Sequence, residues 1–136
     1  MSDVQSTLLI VKPDAVRRCL IGEILSRVER KGLGVDDLRM MTVSRDLAER
    51  HYAEHREKPF FADLVDFITG GPVVVVRLSG REAIAVLRAM MGSTDPATSP
   101  LGTIRGDLGL EITENLVHGS DSPASAEREL ALFFGS

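Results

Sequence analysis

Leu8-Leu9-Ile10-Val11-Lys12-Pro13 sets four apolar residues in a row directly before a lysine and a proline. A run this short, stopped by a residue that cannot donate to a ladder, reads as a strand buried on both faces. Further on the period changes. Ile21, Ile24, Leu25 and Val28 fall at i, i+3, i+4 and i+7, and Lys31-Gly32 supplies the cation and glycine that end a helix. Leu38, Met40 and Val43 give a second strand, and residues 45–69 read as two short helices broken at Lys58-Pro59. The second of these carries Phe60, Leu64, Phe67 and Ile68 on one side. Gly70-Gly71-Pro72 then launches Val73-Val74-Val75-Val76, a strand of four β-branched residues. Residues 80–91 return to helical spacing, with Ala83, Val86, Leu87 and Met90 on one face. Residues 92–109 carry Pro96, Pro100 and four glycines and read as a long loop, a feature often tied to function. Leu116-Val117 is a last short strand, and Ser122-Pro123 opens a final helix with Ala126, Leu130, Phe133 and Phe134 buried. The order predicts an α+β fold. It is a βαββαβ core with an inserted helical hairpin, helices covering one face of a four-stranded antiparallel sheet.

At 136 residues and 14.8 kDa the chain fits one domain spanning 1–136. Hydrophobic residues make up 43% and charged ones 26%, enough apolar material to exclude a disordered chain. No apolar run approaches the roughly 20 residues that span a bilayer, and the first residues lack a signal peptide's basic start. A lone Cys19 cannot form an internal disulfide, which suits a reducing cytoplasm. Sixteen Lys and Arg against twenty Asp and Glu give a net charge of −4, opposing a nucleic-acid surface. Aromatic residues at 4%, with no tryptophan, oppose a base-stacking platform for single strands. Net charge leaves a local cationic pocket open.

Two familiar phosphate signatures, G-x-x-x-x-G-K-[ST] and G-x-G-x-x-G, are missing, which argues against a P-loop NTPase or a Rossmann dehydrogenase. One cysteine and three histidines make no zinc set. His51 and His55 lie at i, i+4, a metal-binding spacing, but without a third ligand they read as two surface histidines. His118 follows an apolar strand and precedes Gly119-Ser120-Asp121-Ser122. It is either a structural histidine at a strand end or a nucleophile that the turn exposes. Glu129 falls about 60° from Ala126 on a helical wheel, at the border of the buried face, where a carboxylate can orient an imidazole. Arg88 sits at the edge of its helix's apolar face, Arg105 stands in the long loop, and Lys12 ends a buried strand. Each has a bland reading: an arginine stem covering core, a local ion pair, a snorkelling lysine. Together, three cations at the ends and edges of separate elements can converge on one anion.

Leu9-Ile10-Val11-Lys12-Pro13-Asp14, Gly102-Thr103-Ile104-Arg105-Gly106-Asp107 and Asn115-Leu116-Val117-His118-Gly119-Ser120-Asp121-Ser122 closely resemble the nucleoside diphosphate kinases. His51-Tyr52-Ala53-Glu54-His55 and Lys58-Pro59-Phe60-Phe61 resemble that family's helical hairpin, so the likeness runs from about Thr7 to Phe134. Departures are minor: Ala15 and Cys19 stand where many members have glycine, and Asp95 where asparagine is common. The resemblance implies a ferredoxin-like βαββαβ sandwich and a ping-pong transfer of the γ-phosphate of ATP or another triphosphate through a phosphohistidine at His118. It implies Glu129 and Ser120 as the groups that orient the imidazole. Lys12, Tyr52, Arg88, Thr94, Arg105 and Asn115 would surround phosphates and sugar, with Lys12 and Asn115 near the ribose hydroxyls. Phe60 would stack on the base and Leu64 line that side, with weak discrimination among bases. Mg²⁺ would ride on phosphate oxygens, with Glu54 and Asp121 as partners through water. A homo-oligomer, hexamer or tetramer built from dimers, is implied as well, with no membrane or nucleic-acid partner. The rival reading is a regulatory or protein-phosphotransfer module on the same fold.

Overall fold

Strand β1 (Val4–Val11), which contains the opening apolar run, is an inner strand of the sheet. The computed structural model describes residues 4–135. On one side β1 pairs with β3 (Val73–Arg81), which in turn pairs with β2 (Gly34–Met41), and on the other with the short β4 (Val117–Gly119). The order is β2-β3-β1-β4 and every pair is antiparallel. Ferredoxin-like α+β architecture follows.

Because side chains alternate across a strand, Leu9 and Val11 enter one core while Leu8 and Ile10 enter another, all four fully buried. Helices α1 (Pro13–Arg17), α2 (Ile21–Lys31), α5 (Ala83–Met91) and α6 (Ile104–Leu108) close the first core through Ala15, Ile24, Val28, Leu87 and Ile104. Helices α3 (Arg45–His51), α4 (Phe61–Ile68) and α7 (Pro123–Phe134) close the second through Leu47, Val65, Leu130 and Phe133. Helices therefore cover both faces, not one as expected. The reason is legible in β1 itself: four consecutive apolar residues leave no face to offer to water. The inserted hairpin and the last helix shield the second face.

Boundaries follow their signals closely at some ends. Gly32 takes φ 105° and closes α2, while Ser122 Oγ accepts the Ser125 N–H at 3.1 Å and starts α7. Residues 92–109 are more ordered than their composition suggests. They hold a 3₁₀ turn at Pro96–Thr98 and helix α6, whose N-terminus is capped by the Thr103 hydroxyl accepting from the Gly106 N–H at 3.0 Å. A Cβ at Gly106 would collide with the Pro100 carbonyl, so only glycine lets these two backbones meet. Helix α1 is too short for periodicity to reveal. Among the described residues no helix is long and apolar enough to cross a membrane.

Candidate active site

Strand β4 contributes only three residues at the sheet edge, and its central one, His118, lies opposite Ile10. The ring is half-buried, and its Nε2 hydrogen-bonds Glu129 Oε1 of α7 at 2.9 Å. Ser120 Oγ donates to the same oxygen at 2.7 Å and accepts the Leu8 N–H at 3.4 Å. Burial pushes the Glu129 carboxyl up, but the hydrogen bond and charge of His118 and the Ser120 hydroxyl outweigh it and hold it at about 2. Glu129 is thus an anion at neutral pH and can only accept. Nε2 must carry the proton, which leaves the lone pair on Nδ1.

The segment before β4 is held from three sides. Leu116 takes φ 77°, a region that disfavours side chains with a Cβ. Lys12 N–H donates to its carbonyl at 2.9 Å, and its own N–H donates to Asp14 Oδ2 at 3.0 Å. Burial raises the Asp14 carboxyl above its usual range. Lys12 Nζ donates to Asn115 Oδ1 at 2.8 Å, and Asn115 Nδ2 donates to the Thr94 carbonyl at 3.1 Å. Arg105 donates from Nε to Asn115 O at 3.1 Å, from Nη1 to Gly92 O at 3.1 Å and from Nη2 to Val117 O at 2.7 Å. Arg88 Nη1 donates to Gly119 O at 3.3 Å. Burial and then the charge of Arg105 pull Lys12 down to about 8, against a weaker upward push from Asp14. Burial and then Arg88 pull Arg105 down to about 10. Both stay cationic at neutral pH, with Arg105 disfavouring the charge on Lys12 and Arg88 that on Arg105. An incoming anion relieves that repulsion.

His51 is a correction to the surface reading: it is only 3% exposed. Its ring meets Tyr52 at 4.6 Å, His118 at 4.8 Å and Phe133 at 5.3 Å between centroids. The missed signal was on α3, where Leu47, Ala48, His51 and Tyr52 form one buried face while Arg45–Glu49 and Arg50–Asp46 pair on the outside. Asp14 was the other omission. Burial and then the charge of His118 pull the His51 imidazole down to about 3, and burial pushes the Tyr52 hydroxyl up to about 12. Since the unfolded imidazole titrates near 6.5, the unfolded chain binds the extra proton between these values. Stability linked to His51 is complete above pH 6.5 and erodes as pH falls towards 3, by up to ~1.4 kcal/mol per pH unit. Denaturant unfolding at pH 7 and pH 5 should show wild type losing about 2 kcal/mol more than His51→Gln. Equal losses would exclude His51 as the acid-sensitive group. Glu129, lowered from an ordinary 4.5 to about 2, loses its contribution only as pH falls below about 4.5, under the lower limit of the pH 7 to 5 comparison.

The hydrogen-bonded network gathers Lys12, Thr94, Arg105 and Asn115 on one segment, Arg88 on Gly119, and His118 with Ser120 and Glu129. Tyr52 reaches His118 through the His51 ring, and a further ring, His55, links Tyr52 at 6.5 Å to Phe60 at 5.5 Å. Phe60 is 44% exposed, and Leu64 is half-buried against the second core. Glu54 and Asp121 are exposed, and Glu54 lies 3.8 Å from His55. The hydrogen bond and ring contact of His118 run to Glu129 and His51, and Phe60 joins that cluster through the rings of His55 and Tyr52. Chemically the site offers the bare Nδ1 of His118, an anionic carboxylate behind that ring and three cations nearby.

The family model described as nucleoside diphosphate kinase matches residues 5–136. A nucleoside diphosphate kinase of Rubrobacter xylanophilus is 64% identical over 97% of this chain and 99% of its own length. Another from Deinococcus radiodurans is 58% identical over 97% and 96%. Among solved structures, a nucleoside diphosphate kinase from Halobacterium salinarum in complex with CDP superposes with a TM-score of 0.96. It is 46% identical, with 98% of this chain and 90% of that one covered.

Proposed function

The chain belongs to the nucleoside diphosphate kinase family, and we propose that it runs that reaction as a two-step relay through His118. It is a phosphotransferase acting on nucleotides. His118 Nδ1 attacks the γ-phosphorus of a nucleoside triphosphate, mainly ATP. The N–P bond forms as the P–O bond to the departing diphosphate breaks. A second nucleoside diphosphate then attacks the phosphorus, and the N–P bond breaks. The observation that carries this reading is the 2.9 Å hydrogen bond from His118 Nε2 to Glu129, which frees Nδ1 and balances the positive charge that grows on the ring. Ser120 keeps the carboxylate aimed.

Phosphoryl transfer asks mostly for positioning and positive charge around the phosphate oxygens. Lys12, Arg88 and Arg105 supply that charge, with Thr94 and Tyr52 beside the phosphates. Lys12 and Asn115, already hydrogen-bonded, face the ribose hydroxyls in this reading. Phe60, exposed at the rim, stacks on the base with Leu64 alongside. Stacking reads a π-face, so base preference is weak.

Mg²⁺ takes oxygen ligands and retains its waters. The metal-competent cluster in the described residues joins two imidazoles to one carboxylate, which is not a magnesium cage. Mg²⁺ would instead be supplied with the nucleotide to neutralise phosphate charge, and the exposed carboxylates of Glu54 and Asp121 would be the groups able to meet it through water. A homo-oligomer built from dimers, a hexamer or tetramer, is supported by exposed Val35, Leu38 and Met40 on edge strand β2 and by Leu101, Leu110 and Ile112. The lone reduced-type cysteine supports a cytoplasmic setting.

Incubation with γ-labelled ATP and Mg²⁺, without acceptor, tests the relay. The expected product is an acid-labile, base-stable label on the protein that GDP removes as GTP. Transfer that needs both nucleotides at once, with no labelled protein, would sink it. Discharge to an added protein in preference to GDP would favour the phosphocarrier role.

A further inference from the structure

The sequence pairs His51 with His55, but the fold turns His51 away from that partner and into the site. One ligand atom from each of His51, His118 and Glu129 lies within 4.8 Å of the other two. His51 is 3% exposed, and neither of its ring nitrogens has a hydrogen-bond partner. A neutral imidazole always presents one bare lone pair, and a buried lone pair without a donor is costly to keep. The His51 and His118 rings stand nearly perpendicular with centroids 4.8 Å apart, so the unpartnered imidazole lies beside the His118–Glu129 pair. Two imidazole nitrogens and one carboxylate oxygen are a donor set that zinc favours, with a fourth position left to water. An oxygen-seeking ion such as Mg²⁺ gains nothing there.

We propose that His51, His118 and Glu129 form a three-ligand site for a borderline divalent cation such as Zn²⁺, which holds the unphosphorylated chain inactive. The cation enters between His118 Nε2 and Glu129 Oε1, the gap now spanned by a single proton. A Zn–N bond forms as the Nε2–H bond breaks, and the proton moves to Nδ1, with no oxidation or reduction. Nδ1 then carries hydrogen in place of a lone pair and cannot attack phosphorus. Ser120, donating to Glu129 at 2.7 Å, remains as the group that orients the ligating carboxylate. The inhibitory half of this proposal rests on His118 being the phosphoryl acceptor. The binding half does not.

The test uses the full chain carrying Cys19→Ser, because the exposed Cys19 thiol is itself a zinc ligand. Calorimetric titration with Zn²⁺ alone should give one ion per chain. His51→Asn and Glu129→Gln should each weaken that binding at least ~10-fold. Co²⁺ in place of Zn²⁺ reports the geometry on the unmutated triad by the intense visible bands of a four-coordinate site, so a variant that misfolds does not block the test. At buffered free Zn²⁺ and saturating MgATP, labelling of His118 should slow in proportion to zinc occupancy. Failure of the Cys19→Ser chain to bind zinc, unchanged affinity in a natively folded His51→Asn, or a weak six-coordinate cobalt spectrum would overturn the site. Zinc binding without slowed labelling would overturn the inhibition alone. Absence of label even without zinc would fault the phosphohistidine relay, leaving calorimetry to judge the site.

Discussion

With alanine in place of His118, transfer from ATP to a second nucleoside diphosphate should fall at least ~10⁴-fold, the scale seen when a covalent nucleophile is removed. No label should remain on the protein after incubation with γ-labelled ATP. Nucleotide binding should survive, because Lys12, Arg88 and Arg105 anchor on main-chain carbonyls and on Asn115, not on the imidazole. Calorimetry with a nucleoside diphosphate separates the two quantities: near-normal affinity with no turnover is the signature of a lost nucleophile. The fold should tolerate the change, since the ring is half-buried at an edge strand and Glu129 keeps Ser120 as a partner. Turnover within tenfold of wild type would mean direct transfer between two bound nucleotides, a different reaction geometry altogether.

Much of this site is readable from spacing because its chemistry sits where elements end. Lys12 closes an apolar run, His118 follows another, and Glu129 occupies the margin of a helical stripe, so each departs from the local pattern in a visible way. His51 continues the stripe of Leu47 and Ala48 without breaking it, so only the stripe, and no departure from it, marks the residue. Its neighbours on the buried face are ordinary helix formers, and its burial arises only when α3 packs against α7 and the strand that carries His118. Asp14 and Leu116 are hidden for another reason. Their contact spans 102 positions of sequence, and the left-handed turn it holds has no glycine to announce it. The second helical layer was implied by the four apolar residues of β1, yet a βαββαβ count alone assigns helices to one face. Period and propensity describe neighbours along the chain, whereas these features belong to neighbours across it.

Arg105 illustrates the same divide and bears the second large expectation. In sequence it is a cation in a loop. In the structure it is 6% exposed and its guanidinium braces the carbonyls of Gly92, Asn115 and Val117, two of which flank the strained Leu116. A planar fork can reach three acceptors in three directions, and a lysine ammonium on a single flexible stem cannot. Arg105→Lys keeps the charge, and Asn115 O retains the Val117 N–H at 2.9 Å, but one of the Gly92 and Val117 carbonyls should be left without its donor, at a cost of roughly 1–3 kcal/mol. At this chain length that corresponds to a fall in Tm of roughly 4–12 °C. Asn115 would lose one of its anchors, so the nucleotide KM should rise along with the instability. Excess nucleotide should recover part of the lost Tm, because a ligand that binds only the folded chain draws the equilibrium back. If Arg105 served the phosphates alone, Arg105→Lys would melt with wild type and lose only affinity. A lower Tm measured without any nucleotide is therefore the decisive reading, since no phosphate is there to account for it.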